Sequence, residues 1–386
     1  TTVLDDQALA VTDIITEKAI SWIDSVKSDD QPFMLFLGHK SPHRPWQPGP
    51  EELGMYEGVE IPEPETLFDD YSGNRKVASL NYMSIADAMK MGQDIKITDK
   101  PQAGFNKTQQ KMWDSIYGPI NEEFKKANLK GDELTRYKYQ RYMRDYLASV
   151  AGVDKSVGHV LDYLKEAGLD ENTIVIYTSD QGFYLGEHGW FDKRWMYKES
   201  LRTPLLVKWP GVIKAGTENN DLVSNLDFAE TFLDLAETNI PDDMQGRSLV
   251  PVLEGNTPED WRDAHYYHYY EHPSEHDVRR HYGITTDKYK LIHFYYDMDV
   301  WELYDLEKDP GEMNNVYGDS EYAEVQKELH KKLEELRVKY KDNDSLNQNF
   351  IEEYKEKVKK NPLIEYWKLS PEERQRLFKE YSKNKK

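Results

Sequence analysis

Near the middle of this 386-residue sequence the apolar run Thr173 to Tyr177 ends in Thr178-Ser179-Asp180-Gln181-Gly182, and the loop after it carries Gly186-Glu187-His188-Gly189 and Asp192-Lys193-Arg194. Asp180 and Gln181 supply a carboxylate and an amide oxygen, hard donors suited to Ca2+ or Mg2+. Alone, such a pair at a strand end is ordinary turn or helix-cap chemistry. Lys193 and His188 within one loop change that reading, because an ammonium beside a divalent cation is tolerable only where an anion bridges them. Another cationic group, Lys40, His43 and Arg44, lies in Gly38-His39-Lys40-Ser41-Pro42-His43-Arg44-Pro45-Trp46. The two segments read as facing walls of a metal-and-anion site for an anionic ester.

Such walls need strands to carry them. Residues 32 to 37 read as a buried strand emptying into the His43 loop, and 173 to 177 as a second strand emptying into Asp180. In open α/β sheets, ligands bind at such strand ends. Residues 12 to 27 have helical periodicity, with Ile15, Ala19, Ile20, Ile23 and Val26 on one face. Residues 133 to 166 repeat apolar positions at steps of three and four, with Gly168 as a stop, and read as the crossover helix of a βαβ unit. Between these lies 48 to 129, polar and irregular, expected to be a surface insertion with helical pieces at 75 to 91 and 107 to 127. A further strand at 205 to 209 and a helix at 227 to 236 continue the alternation of an α/β sheet sandwiched by helices.

After residue 262 the pattern becomes aromatic-rich strands at 282 to 286, 289 to 294 and 300 to 304, then a helix at 321 to 340. This reads as a small C-terminal antiparallel sheet plus helix. The expected organisation is 1 to 261 for the larger α/β unit, 262 to 345 for the smaller one, and 346 to 386 for a charged helical tail. Within that tail Ser370-Pro371-Glu372-Glu373 is a capping box that starts a short helix.

Fifty basic against 71 acidic residues give a net charge of -21, which repels nucleic acid and anionic membrane, so an anionic substrate must be met by a local basic cluster. No run is long and apolar enough for a membrane span, and Thr1 to Gln7 has no signal-peptide character. The first residue is not Met, which suggests a processed or truncated chain. With no cysteine, these residues hold no disulfide, thiolate zinc site or thiol nucleophile.

The stretch Thr178 to Pro210, including Arg202-Thr203-Pro204-Leu205-Leu206, resembles that of type I sulfatases, in the alkaline-phosphatase-like superfamily. His39-Lys40-Ser41-Pro42-His43 resembles that family's substrate-histidine motif, and Trp301-Glu302-Leu303-Tyr304-Asp305-Leu306 with Asp309-Pro310 and Glu312 its C-terminal strand and turn. The resemblance implies an alkaline-phosphatase-like mixed sheet and hydrolysis of sulfate esters on a sulfated carbohydrate, with N-acetylglucosamine 6-sulfate or iduronate 2-sulfate units of glycosaminoglycans most similar. It implies one Ca2+, with Asp180 and Gln181 as metal ligands, Lys193 on the sulfate, and His43 near the leaving oxygen. Lys40, Arg44, His188 and Arg194 are then substrate-binding. Arg280 and His281, in the cluster Glu271-His272-Pro273, His276 and Arg279-Arg280-His281, are expected to reach the cleft and read the sugar or a neighbouring sulfate. A periplasmic, extracellular or lysosomal location is implied as well.

One departure is sharp. The family uses a formylglycine made from Cys or Ser within Cys/Ser-x-Pro/Ser-x-Arg, and this chain has no such pattern: Ser41-Pro42-His43-Arg44 and Ser370-Pro371-Glu372-Glu373 put proline one place early. Asp5-Asp6-Gln7 resembles the family's metal pair only superficially, since a helix follows it. The expectation is half a site, with the N-terminal nucleophile portion absent and the chain inactive by itself. Two other readings compete. One is a two-metal phosphatase or phosphodiesterase of the same superfamily; the other is a non-catalytic glycan-binding chain that uses its 27 tyrosines and nine tryptophans.

Overall fold

The computed structural model describes residues 10–28, 31–273 and 276–360. The capping box at Ser370 and the Asp5-Asp6 pair lie outside the described residues. Helix α1 (Val11–Val26) packs on the long α3 (Gly131–Glu166), with α2 (Lys107–Ala127) between them in sequence. Both α1 and α3 fall where the periodicity puts them. The face that α1 buries is more polar than expected: Thr12, Thr16, Ala19 and Ile23. The Thr16 and Ser156 hydroxyls meet at 2.5 Å across the α1–α3 contact, and Ser156 also lies 3.1 Å from His39 Nε2. The helix pair thereby reaches the His43 loop.

The end of α3 leads through a tight turn to strand β1 (Val175–Thr178). The short strands β2 (Tyr184–Leu185) and β3 (Phe191–Asp192) form a hairpin in the loop that follows, and α4 (Lys198–Leu201) leads to β4 (Leu205–Lys208). β1 pairs antiparallel with β4, Thr178 opposite Leu205 and Val175 opposite Lys208. Residues 32–37, expected as a buried strand, form no strand among the described residues, and Met34, Leu35 and Phe36 are exposed. A strand exists only through its partner's hydrogen bonds, and sequence reports the apolar run without reporting the partner. The βαβ unit expected across α3 is correspondingly not seen as a paired sheet.

The polar stretch 48–129 is not a surface insertion. It supplies Ile61, Leu67, Val77, Ala78, Met83, Ile85, Ala88, Met89 and Ile95 to the core, all at most 9% exposed. The helix expected at 75 to 91 is a single 3-10 turn, Lys76–Ser79, while α2 lies where the pattern placed it. The misreading has a physical cause: irregular backbone carries no periodicity, so its buried residues leave no signature.

Beyond β4 come α5 (Asp227–Leu235) and α6 (Val250–Leu253), then a four-stranded antiparallel meander of β5 (His265–Tyr269), β6 (His281–Thr285), β7 (Tyr289–Phe294) and β8 (Val300–Asp305). One face takes α7 (Ala323–Lys339) through Leu329 and Leu333. The other face is shared. Tyr269, Ile292, Phe294 and Tyr304 pack in one aromatic core with Val77, Trp190, Trp195 and Tyr197, so no break in the core falls near residue 262. Glu302 sits within it, fully buried, accepting from the Tyr197 and Tyr304 hydroxyls, and burial pushes its carboxyl up to about 7. A last helix, α8 (Asp344–Lys360), follows α7.

Candidate active site

Two loops converge on one aromatic cluster. Trp46, fully buried at the end of the His43 loop, lies 6.3 Å from Phe183 and 6.0 Å from Phe191, ring to ring. Phe183 follows Gly182 directly, and Lys193 Nζ lies 5.9 Å from its ring centre. Arg44 stacks its guanidinium 5.1 Å over Phe191. The segment carrying His43 and the one carrying Asp180, Gln181 and Lys193 are therefore neighbours at one end of β1.

The His43 loop is held from below by residues that sequence reading left unassigned. Asp94 takes a two-pronged pair from Arg44, at 2.7 and 2.6 Å. Lys96, 1% exposed, donates to the carbonyls of Pro45, Trp46 and Asp94 at 2.6, 3.0 and 2.8 Å, and pairs with Asp145 of α3 at 3.2 Å. Burial depresses the Lys96 pKa although Asp145 opposes it. Lys40 and His43 remain exposed on the outer side of the loop, the His43 Nδ1 lying 2.9 Å from the Arg44 carbonyl oxygen. Arg44, expected among the substrate-binding residues, thus also braces the loop through its pair with Asp94.

The Asp180 turn is set by Gly182. Its N–H donates to the Ser200 carbonyl at 2.9 Å. A Cβ there would stand 2.1 Å from the Glu199 carbonyl oxygen and 2.7 Å from that of Arg202. Gly182→Ala is accordingly expected to lower unfolding free energy by about 1–3 kcal/mol, read as a shift in denaturation midpoint. Gly158→Ala in α3, where a Cβ meets nothing within 4 Å, is the control and should be neutral or stabilising. Asp180 is exposed, Gln181 half-buried, and Asn225 donates its side-chain amide to the Asp180 carbonyl at 3.4 Å.

Next to this turn, Asp192 and Arg194 take left-handed backbone conformations, φ 81° and 102°, on either side of Lys193. Side chains other than glycine rarely adopt these values, and such strain persists only where surrounding contacts enforce it. Asp192 is the enforcing group: buried, it pairs with Lys193 at 3.4 Å, Arg194 at 2.9 Å and His276 at 3.7 Å. Burial alone would raise its carboxyl, but Arg194, Lys193 and His276 outweigh that and hold it below the ordinary range. Arg194 also faces Glu271 at 3.4 Å. Asp192 was noted in the sequence only as a neighbour of Lys193, and Asn225 did not stand out at all, because a single amide carries no spacing signal.

His188 lies elsewhere than expected. It is 1% exposed, between Asp69 at 3.3 Å, Arg75 at 3.4 Å and Glu199 at 3.7 Å. Burial opposes its protonation, but hydrogen bonds to Asp69 and Glu199 prevail and hold the imidazole above its ordinary pKa. It joins Asp69 to the Glu199 turn and presents no surface to a solute. His281 is likewise in the core, fully buried and stacked on Trp195 and Tyr269, and Arg280 is 3% exposed with its Nε bonded to the His272 carbonyl. The expectation that Arg280 and His281 reach the cleft is therefore corrected: both side chains are buried, His281 at the start of β6 and Arg280 just before it. From that cluster it is His276, at Asp192, and Glu271, at Arg194, that meet the Lys193 loop.

The fit of a hard cation is partial. Asp180 and Gln181 are oxygen donors of the right kind at a strand end, but among the described residues no three acidic or histidine side chains converge to hold an ion, whereas Ca2+ takes 6–8 oxygens. The formylglycine does not fit, since no residue of this chain stands in its motif.

The Sulfatase family profile matches residues 5–238, and that of N-sulphoglucosamine sulphohydrolase, C-terminal, matches 186–339. An N-acetylglucosamine-6-O-sulfatase of Bacteroides thetaiotaomicron is 49% identical over 348 residues, covering 86% of this chain and 62% of that protein. An arylsulfatase of Clostridium perfringens is 30% identical, covering 84% and 58%. The chain thus spans about 60% of the length of these relatives. Among solved structures, BT4656 in complex with its substrate D-glucosamine-2-N,6-O-disulfate superposes with a TM-score of 0.84 at 49% identity, covering 87% of this chain and 71% of that one. A phosphonate monoester hydrolase from Silicibacter pomeroyi, at 22% identity and TM-score 0.65, shares the fold. The family profile covers more than half of the chain, and the fold agrees with it: this chain belongs to the sulfatase family, with its alkaline-phosphatase-like α/β architecture.

Proposed function

We propose that this chain provides the substrate-gripping part of a sulfatase acting on 6-O-sulfated glucosamine units of glycosaminoglycans. The observation that carries the reading is the meeting of the exposed His43 loop with Asp180, Gln181 and Lys193 around Phe183 and Trp46. It is supported by 49% identity to an N-acetylglucosamine-6-O-sulfatase and by the sulfated glucosamine bound in BT4656. The reaction is hydrolysis of the ester to an alcohol and hydrogen sulfate. Lys193, fixed by Asp192 and the strained backbone beside it, holds nonbridging sulfate oxygens through charge-assisted hydrogen bonds. His43 donates a proton to the departing sugar oxygen. Arg194 and Lys40 add positive potential, which an overall charge of -21 makes necessary. Asp180 and Gln181 would contribute to holding a Ca2+ ion, whose chemistry is to neutralise charge on the sulfate oxygens. No step is assigned to a nucleophile, for which these residues have no candidate.

Calorimetric titration of the chain with glucosamine-2-N,6-O-disulfate and with unsulfated glucosamine, in the presence of Ca2+, tests the reading. The sulfated sugar should bind measurably tighter, and Lys193→Ala should weaken it by about 10- to 100-fold, the loss of one charge-assisted contact. Equal binding of both sugars would remove the proposal.

A further inference from the structure

The β2–β3 hairpin opens abruptly beside the site. Its register pairs Leu185 with Phe191 and Tyr184 with Asp192. Carried on, that register would set Phe183 against Lys193 and then Gly182 against Arg194, but the ladder stops before either pair. Ser200 of α4, 5% exposed, stands between the arms instead and takes a hydrogen bond from each. Its carbonyl accepts from the Gly182 N–H at 2.9 Å, and its hydroxyl accepts from the Arg194 N–H at 3.0 Å. The approach is close enough that a Cβ on residue 182 would stand 2.9 Å from the Ser200 carbonyl carbon.

Both ends of this bridge are fixed. Fully buried Glu312 accepts from the Lys198 N–H at 2.7 Å, and its other oxygen lies 2.6 Å from the Lys290 ammonium of β7. The Lys198 ammonium donates to the Pro310 carbonyl at 2.8 Å, and Glu199 faces His188 at 3.7 Å. α4 is thus tied to the core on either side of Ser200. At the other end, Arg194 has φ 102°, and both of its backbone polar groups are held: the N–H by Ser200, the carbonyl by the Tyr267 hydroxyl of β5 at 2.9 Å. A backbone in that region keeps its conformation only while such contacts enforce it.

We propose that Ser200 is a positioning residue, a wedge between the two arms of the hairpin that sets the separation of the Asp180-Gln181 turn from Lys193 and so the width of the gap receiving the sulfate. The inference rests on the sulfatase reading for the ligand, while the wedge itself rests on the register and the two hydrogen bonds.

Ser200→Ala keeps the carbonyl bond to Gly182 and removes the hydroxyl that holds Arg194. Calorimetric titration with glucosamine-2-N,6-O-disulfate in the presence of Ca2+ should show binding weakened about 5- to 10-fold, the loss of one neutral hydrogen bond. In a Lys193→Ala background the same substitution should cost less than about twofold, because Ser200 acts through Lys193. An undiminished affinity in the single variant overturns the proposal. So does an equal loss in both backgrounds, since a residue that only supports the fold weakens both alike. Hydrogen exchange at the Arg194 amide reads the wedge with no ligand present: Ser200→Ala should speed it by about tenfold or more, and unchanged exchange also overturns the proposal. If the unaltered chain binds sulfated and unsulfated glucosamine alike, the sulfatase reading falls, and the wedge is then decided by the Arg194 exchange alone.

Discussion

Arg75→Met is expected to lower the unfolding free energy by about 3–5 kcal/mol, the cost of stranding one member of a buried ion pair. Arg75 has no exposed surface and grips both oxygens of Asp69, at 2.7 and 2.8 Å. Its Nε also donates to the Met313 carbonyl at 2.8 Å, which ties the loop after β8 to the irregular stretch before residue 80. Methionine keeps the unbranched stem of the side chain and removes all of these donors. Asp69 would keep the Tyr71 N–H at 2.8 Å and the His188 contact, too little to compensate a buried carboxylate. Urea denaturation gives the measurement, and the pair Asp69→Asn with Arg75→Met should recover part of the loss, because the stranded charge goes with it. A cost below about 1 kcal/mol, the value of an exposed pair, would mean that solvent reaches this cluster.

Acid should weaken the fold strongly through the buried imidazoles. Burial among Trp195, Tyr269 and Phe294 pushes the His281 pKa down to about 3, against the partial help of the Arg279 carbonyl, and burial together with Arg279 takes His272 to about 4. The sign follows from proton counts. Below about 6.5 the unfolded chain binds a proton at His281 that the native state refuses until pH 3, so stability is full above 6.5 and falls as pH drops through this window. A shift of about 3.5 units corresponds to about 5 kcal/mol once pH reaches 3, a large part of the 5–15 kcal/mol available to most domains. His281→Phe should lose less between pH 7 and 4 than the unaltered chain in the same urea series, although it starts lower for want of the Arg279 hydrogen bond. Parallel losses in the two proteins would show that His281 protonates freely in the fold. His188 works in the opposite direction. Its pKa is raised by Asp69 and Glu199, so its contribution is complete below the ordinary histidine value and is lost as pH rises through the folded one.

The regular elements were legible in the sequence. Helices α1, α3, α5 and α7 fall where apolar spacing repeats, and β6 to β8 fall where short aromatic strands alternate with turns. The segments proposed to bear the chemistry stand out locally too, as a carboxylate, an amide and a glycine closing an apolar run. The stretch 48–129 was opaque because irregular backbone has no period, yet Asp94 and Lys96 within it hold the His43 loop in place.

By itself the sequence determined which residue types stand at the strand end and in the cationic loops, because composition and spacing are local properties. Only the tertiary structure decided which of those charges are free. Arg44 is taken by Asp94, His188 by Asp69 and Glu199, and His281 by the aromatic core, while Lys193 is left beside Phe183 with Asp192 behind it. The reason is that a charge's availability depends on partners tens of residues away and on the water excluded around it, and neither is written in the neighbouring letters.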